Sequence, residues 1–306
     1  MRQIIFGFVG VLLLIGCGQS EEERVRVSRQ QRLEAFRQDS AAFKVAVMPT
    51  LDCLPIIVAH EYHLFDTVKT DIRLKYFQAQ MDCDTALMRG RVQAAVSDMV
   101  RTEYMQKRGT KLHYLTSTNA YWQLMVGRTV RIKRFQHLAD KAMGMTRFSV
   151  TALLADHVVD SAKLSHDEVF RIQVNDVYVR LKMLENKELD VAWMTEPQAT
   201  TARLMACQPL ADSRKLGVNM GVVVCLHQVM KDSDRKWQLD RFIKGYDRAC
   251  DSINKNGVRK YRDLIMKYCH VGSEVVDSLP KDIKYSHMVT PLQKDIISAS
   301  QWLEKQ

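Results

Sequence analysis

From residue 43 onward, short apolar runs alternate with amphipathic stretches, and the period of each stretch names the element it predicts. Lys44 to Met48 (KVAVM) is a β-branched run that predicts a strand. After Pro49-Thr50, the apolar positions Leu54, Ile57, Val58 and Tyr62 have helical spacing. Asp71 to Phe77 alternates with period two, Cys83 to Gly90 predicts a helix closing on a glycine cap, and Gln93 to Ser97 predicts a third strand ending at Asp98. A helix over Val100 to Lys107 and a strand over Leu112 to Ser117 continue the alternation. After a hairpin-like run, Tyr121 to Arg128, the rhythm restarts. Strands are predicted at Lys141 to Met145, Val169 to Val174 and Asp190 to Met194, interleaved with helices at Ser149 to Asp160, Tyr178 to Lys187 and Gln198 to Met205. The run Gly217 to Leu226 then leads into a mostly helical tail over 235–268. Strands alternating with helices at this spacing predict βαβ units and an α/β fold of two lobes, the tail returning to the first.

The N-terminal pattern differs. An apolar run of twelve residues, Ile4 to Ile15, is shorter than the roughly 20 that a spanning helix needs, so it reads as the core of a signal peptide covering residues 1–16. The tetrapeptide Leu14-Ile15-Gly16-Cys17 resembles a bacterial lipobox. That resemblance implies lipidation at Cys17, export, and anchoring to a bacterial cell membrane through the N-terminal lipid. Residues 17–42 then form the lipidated N-terminus and a polar tether free of Pro and, after Gly18, of Gly.

Composition narrows the classes. With 306 residues, 46% hydrophobic and 26% charged, the chain is neither a small disulfide scaffold nor a disordered one. The +10 net charge raises the question of nucleic acid, but the basic residues are dispersed and lack interleaved aromatics, so no nucleic-acid partner is expected. Loss of residues 1–16 would remove Arg2 alone and leave +9. Assigning Cys17 of the seven cysteines to lipid leaves six, with no Cys/His spacing for zinc; no metal and no cofactor are expected.

Three stretches share a family's pattern: KVAVMPTLDCLPIIVAHEYHLFD (44–66), DTALMRGRVQAAVSD (84–98) and MLENKELDVAWMTEP (183–197). Together they resemble type II periplasmic solute-binding proteins, in the group serving thiamine-pyrimidine precursors, alkanesulfonates, taurine and nitrate. One departure is His63, which stands where that family usually carries glycine. The resemblance implies mixed, mostly parallel sheets, a ligand cleft between lobes, and a monomeric binding component that delivers a small-molecule solute to an ABC permease and its ATPase. Lobe 1 is then expected over 43–127 together with 225–306, and lobe 2 over 128–224. Two other readings remain open: an enzyme on the same fold, acting in thiamine-pyrimidine or menaquinone-precursor synthesis, and a lipoprotein adaptor without transport function.

Ligands of open α/β sheets bind beyond the carboxyl ends of the strands. The candidates there are Thr50, Leu51, Asp52, Gln78, Ser97, Asp98, Arg147, Ser149, Asn175, Asp176, Trp193 and Glu196. Carboxylates outnumber Arg147, which suits a cationic or aminopyrimidine-like solute with Trp193 as a stacking face. Arg147 and Ser149, between a strand and a helix, suit a sulfonate or similar anion instead. Asp52 and Asp98 have two open roles, capping the following helix or facing the ligand. Cys53 and Cys83, both at helix starts beside the cleft, are a possible disulfide pair.

Overall fold

The computed structural model describes residues 21–66 and 70–306, with side chains from Arg26 onward. The expected signal peptide, Cys17 and the start of the tether lie outside the described residues. Two compact units divide the chain after Ala42. In the first, α1 (Glu21–Ala41) is one continuous helix over most of the segment expected to be a tether. No Gly or Pro interrupts it.

In the second unit the chain runs β1 (Phe43–Val47), α2 (Leu54–Glu61), β2 (Ile72–Tyr76), α3 (Gln80–Met88), β3 (Ala94–Asp98), α4 (Met99–Lys107) and β4 (Leu112–Ser117). It continues through β5 (Gln123–Val126), β6 (Lys141–Met145), α5 (Val150–Ser161), β7 (Val169–Gln173), α6 (Val177–Glu185), β8 (Val191–Met194), α7 (Gln198–Leu204) and β9 (Gln208–Asp212). After β10 (Gly221–Leu226) come α8 (Ser233–Asn256), α9 (Arg262–Cys269), α10 (Ser273–Asp277) and α11 (Gln293–Leu303). These strands build two five-stranded sheets, ordered β2-β1-β3-β10-β4 and β7-β6-β8-β5-β9. The first three positions of each sheet are parallel, and the fourth strand runs antiparallel to both neighbours.

The fourth strand of each sheet arrives by a crossover, which moves the lobe boundaries. β5 pairs with β8 and β9, so it belongs to the second sheet although residues up to 127 were expected in lobe 1. Conversely, β10 pairs with β3 and β4 from Gly221 on, although residues up to 224 were expected in lobe 2. Apolar period identifies a strand but not the ladder it joins. The crossings therefore lie between β4 and β5 and between β9 and β10. β9 itself, half-exposed and carrying Pro209, was not expected as a strand.

Local sequence explains the elements that frame the cleft. β3 and β10 are buried along their whole length, as central strands covered on both faces require. Pro55 sits in the first turn of α2, where its missing N–H costs nothing. The turn that follows α2 contains His63, whose φ of +54° is the left-handed conformation that glycine favours; the family's usual glycine at this position has a conformational reason. α8 returns to lobe 1, where Phe242 packs its ring 6.0 Å from Phe43 and 5.7 Å from Phe65. There Gly245 is fixed by sterics, since a Cβ would lie 2.4 Å from the Phe65 ring. Gly245→Ala is therefore expected to lower the thermal midpoint, although helix propensity alone would gain about 1 kcal/mol. A melt followed by circular dichroism checks this, and a raised midpoint would refute the close approach. Among the described residues, no helix is long and apolar enough to cross a membrane.

Candidate functional site

A cavity of about 70 Å³ lies between the two sheets at the carboxyl ends of their parallel strands. Lobe 1 contributes Met48, Thr50, Asp52, Gln80, Val96, Ser97 and Asp98; Ala120 and Trp122 come from the first crossover; lobe 2 contributes Thr146, Ser149, Val150, Thr151, Asn175, Val177, Arg180 and Thr195. The lobes touch around it. The Leu51 N–H donates to the Glu196 carbonyl at 2.9 Å, Gln198 Nε2 to the Pro49 carbonyl at 2.8 Å, and the Val177 N–H to the Gln78 carbonyl at 3.2 Å. The arrangement is closed.

Asp52 follows β1 in a short turn, Leu51–Cys53, and is 8% exposed. That turn has no side-chain cap, so the capping role is not realised and the carboxylate faces the cleft. Burial raises its pKa, opposed by hydrogen bonds from Thr50 and Thr118 hydroxyls and from backbone N–H groups. The Thr118 Oγ1 contact is long, 3.4 Å. Among the described residues, no cationic side chain pairs with Asp52.

Asp98 combines both roles open to it. Its Oδ1 caps α4 by accepting the Arg101 N–H at 2.9 Å, and the same oxygen accepts the Val150 N–H at 3.2 Å from lobe 2. Burial pushes its pKa up to about 7. Beneath the lobe 1 wall, Asp84 holds Arg101 Nε at 2.5 Å and Gln80 Nε2 at 3.1 Å, both partners of the ion pair being almost fully buried.

The opposite wall carries Arg180 on α6, 5% exposed, its pKa lowered by burial to about 10. Its donors go to neutral acceptors: Nε to the Val174 carbonyl at 3.0 Å, Nη1 to the Trp193 carbonyl at 2.9 Å and Nη2 to Thr146 Oγ1 at 2.6 Å. Ser149 caps α5, accepting the Thr151 N–H at 3.1 Å while donating to the Thr146 carbonyl at 2.8 Å.

Of the twelve candidates, Thr50, Asp52, Ser97, Asp98, Ser149 and Asn175 line the cleft. Arg147 does not: it is exposed, the following Phe148 adopts φ of +51°, and the side chain lines a separate cavity on the outer surface. Trp193 is fully buried within the core and offers no stacking face; the half-buried Trp122 is the cleft's tryptophan. Glu196 is buried against Arg203 Nη2 (2.6 Å), Thr200 Oγ1 (2.6 Å) and the Tyr121 hydroxyl (3.1 Å), fixing the start of α7. Asp176 caps α6, accepting the Tyr178 and Val179 N–H groups. Gln78 is exposed and meets lobe 2 through its carbonyl alone, and Leu51 contributes backbone contacts. Arg180 and Trp122 were not foreseen. Nor was Thr151, whose hydroxyl in the first turn of α5, two residues after Ser149, is the signal that could have found it.

The disulfide is not formed. Cys53 and Cys83 are free and fully buried. The Cys53 sulfur is engaged inside its own loop, accepting the Met48 N–H at 3.3 Å and meeting Thr50 Oγ1 at 3.5 Å. Burial pushes both thiols well above their usual range. No metal-binding cluster of acidic, His or Cys side chains occurs among the described residues.

A family model described as NMT1/THI5 like matches residues 50–260. No curated protein sequence matches the chain. Among solved structures, the ligand binding component of an ABC-type import system from Staphylococcus aureus, with zinc bound, aligns with a TM-score of 0.71 at 13% identity, over 87% of this chain and 92% of that one. The alkanesulfonate-binding protein SsuA from Xanthomonas axonopodis pv. citri, bound to MOPS, aligns with a TM-score of 0.71 at 15% identity, over 87% and 91%. The desulfurization enzyme DSZB aligns at 0.61 and 11%, over 86% and 90%, so the same fold also hosts an enzyme. These likenesses establish the two-lobed periplasmic-binding-protein fold.

Proposed function

The chain belongs to the NMT1/THI5-like family, and from that premise we propose that it is the solute-binding component of an ABC importer whose lobes close on a small solute rich in N–H donors, of the aminopyrimidine class. The observation that carries the reading is Asp52: a buried carboxylate on the cleft wall, held by hydroxyl and backbone donors and opposed by no cationic side chain among the described residues. Such a carboxylate is costly until a charged or strongly donating partner meets it. A protonated aminopyrimidine presents an amino group and an adjacent ring N–H, and one carboxylate accepts both. Sulfonates fit less well, because Arg180 already donates to carbonyl and hydroxyl oxygens and Arg147 points elsewhere.

The rest of the assignment extends this reading. Cys17 is the proposed lipid attachment point after loss of residues 1–16, and α1 with the preceding polar residues is the tether. Anchoring would keep the binding unit's local concentration high beside a permease and its ATPase. Closure around a solute is then the signal the permease reads.

Thermal-shift and calorimetric titration with aminopyrimidines, methanesulfonate, nitrate and small amines test the assignment. An aminopyrimidine at 100 times its Kd is expected to stabilise the protein by about 2.7 kcal/mol. A response confined to sulfonate or nitrate, or none from any class, would overturn it.

A further inference from the structure

Asp98 stands where the two lobes meet, and its carboxylate serves both. β3 delivers it in extended conformation (φ −119°, ψ 162°), 5% exposed, and Oδ1 takes the Arg101 N–H of its own lobe at 2.9 Å. The second donor on that oxygen is the Val150 N–H, 3.2 Å away, at the first residue of α5. A helix start leaves its first N–H groups without intrahelical partners. The Ser149 cap takes the Thr151 N–H, so the Val150 donor is satisfied across the cleft. Two contacts reinforce the junction: Arg101 Nη1 donates to the Arg147 carbonyl at 3.3 Å, and the Tyr104 and Phe148 rings stack 4.7 Å apart at 10°. One carboxylate thus caps a helix in each lobe. It also occupies the positive end of α5, where an oxyanion would otherwise be drawn.

We propose that Asp98 is an interlobe latch whose carboxylate oxygen, supplied from within the chain, occupies the α5 N-terminus, holding the lobes together without solute and excluding oxyanionic solutes from that end. The exclusion rests on the cleft being a solute site; the latch does not.

The test reads the distance between spin labels on the full chain, placed at Met88→Cys in lobe 1 and Leu204→Cys in lobe 2. Both positions are exposed (39% and 50%), and the six described native thiols are buried. Without solute, Val150→Pro is expected to shift the distribution to longer separations. Proline is tolerated at the first helical position, and Ser149 already has the extended conformation a residue before proline requires (φ −134°, ψ 171°), so the change removes the donor and spares the helix. Asp98→Ala is expected to do the same, and Asp98→Asn, which keeps an acceptor oxygen, to shift it less. Distributions of Val150→Pro that superimpose on the parent's overturn the latch, whether or not Asp98→Ala folds. Methanesulfonate is expected to shorten the distance in Asp98→Ala and leave the parent unchanged; an equal response in both, or none in Asp98→Ala, overturns the exclusion. Lobes that separate in Val150→Pro of a chain binding no aminopyrimidine leave the latch standing and remove the solute reading. Unmoved lobes in a chain that binds one remove the latch alone.

Discussion

Asp52→Asn is expected to weaken aminopyrimidine binding roughly 10- to 100-fold, the cost of turning a charge-assisted hydrogen-bond pair into neutral ones. The substitution is isosteric and keeps an oxygen for the Thr118 hydroxyl, so the loss would report charge rather than shape. Stability should move the other way. Burial raises the Asp52 pKa above its ordinary 3.8, so the folded state binds that proton more tightly than the unfolded one does. Stability then falls as pH rises from the ordinary value through the raised one, and above the raised one the ionised carboxylate is a net cost in the solute-free protein. Asparagine removes that cost. Binding has its own pH dependence: a cationic solute favours the ionised form, so the parent's affinity should fall as pH drops through the raised pKa, and the variant should lack this component. Titration calorimetry at several pH values, with melts at pH 5 and 8, reads all of these. Equal affinities in parent and variant would take Asp52 out of the site.

The candidates that the structure brings to the cleft share one property: their position follows from the end of a strand. Thr50, Asp52, Ser97, Asp98, Ser149 and Asn175 come just after, or at the end of, runs whose period is readable, and parallel strands converge their carboxyl ends on one cleft. What failed depended on rotation or on long-range pairing. Arg147 has the right position, but the left-handed Phe148 beside it belongs to a turn that carries the guanidinium outward. Trp193 sits one residue from its strand's end, and the period-two pleat turns it into the core. Arg180 lies in the helix VYVRLKMLE, where a charge reads as a solvated face; only packing of α6 against β8 shows it buried against the Val174 and Trp193 carbonyls. The crossover strands were legible as apolar runs, but their sheets were not, because the residues they pair with are distant in the chain. The sequence offers Asp98 as either a cap or a ligand group, whereas in the fold one oxygen meets donors from both lobes.

Arg101→Met is expected to cost ~3–5 kcal/mol, the largest stability effect of any substitution considered, because it strands a buried charge. Asp84 is 0% exposed and Arg101 3%, and the guanidinium is the carboxylate's sole cationic contact among the described ion pairs. Without it Asp84 keeps only Gln80 Nε2 at 3.1 Å, and burial, which already raises the Asp84 pKa against the pull of Arg101, would raise it further. The damage should reach the cleft. Gln80 lines it and also donates to the Val96 carbonyl at 3.1 Å, so a displaced Asp84 disturbs the wall beside Ser97 and Asp98. Removing both partners separates a stranded charge from lost packing: Arg101→Met with Asp84→Leu should recover much of the loss, since a buried pair replaced by apolar groups of similar volume is often close to neutral. Urea denaturation of parent, single and double variants measures this, with the slope showing whether the unfolding reaction itself has changed. A single variant costing under about 1 kcal/mol, or a double variant as weak as the single, would mean that Asp84 does not depend on Arg101 for its charge.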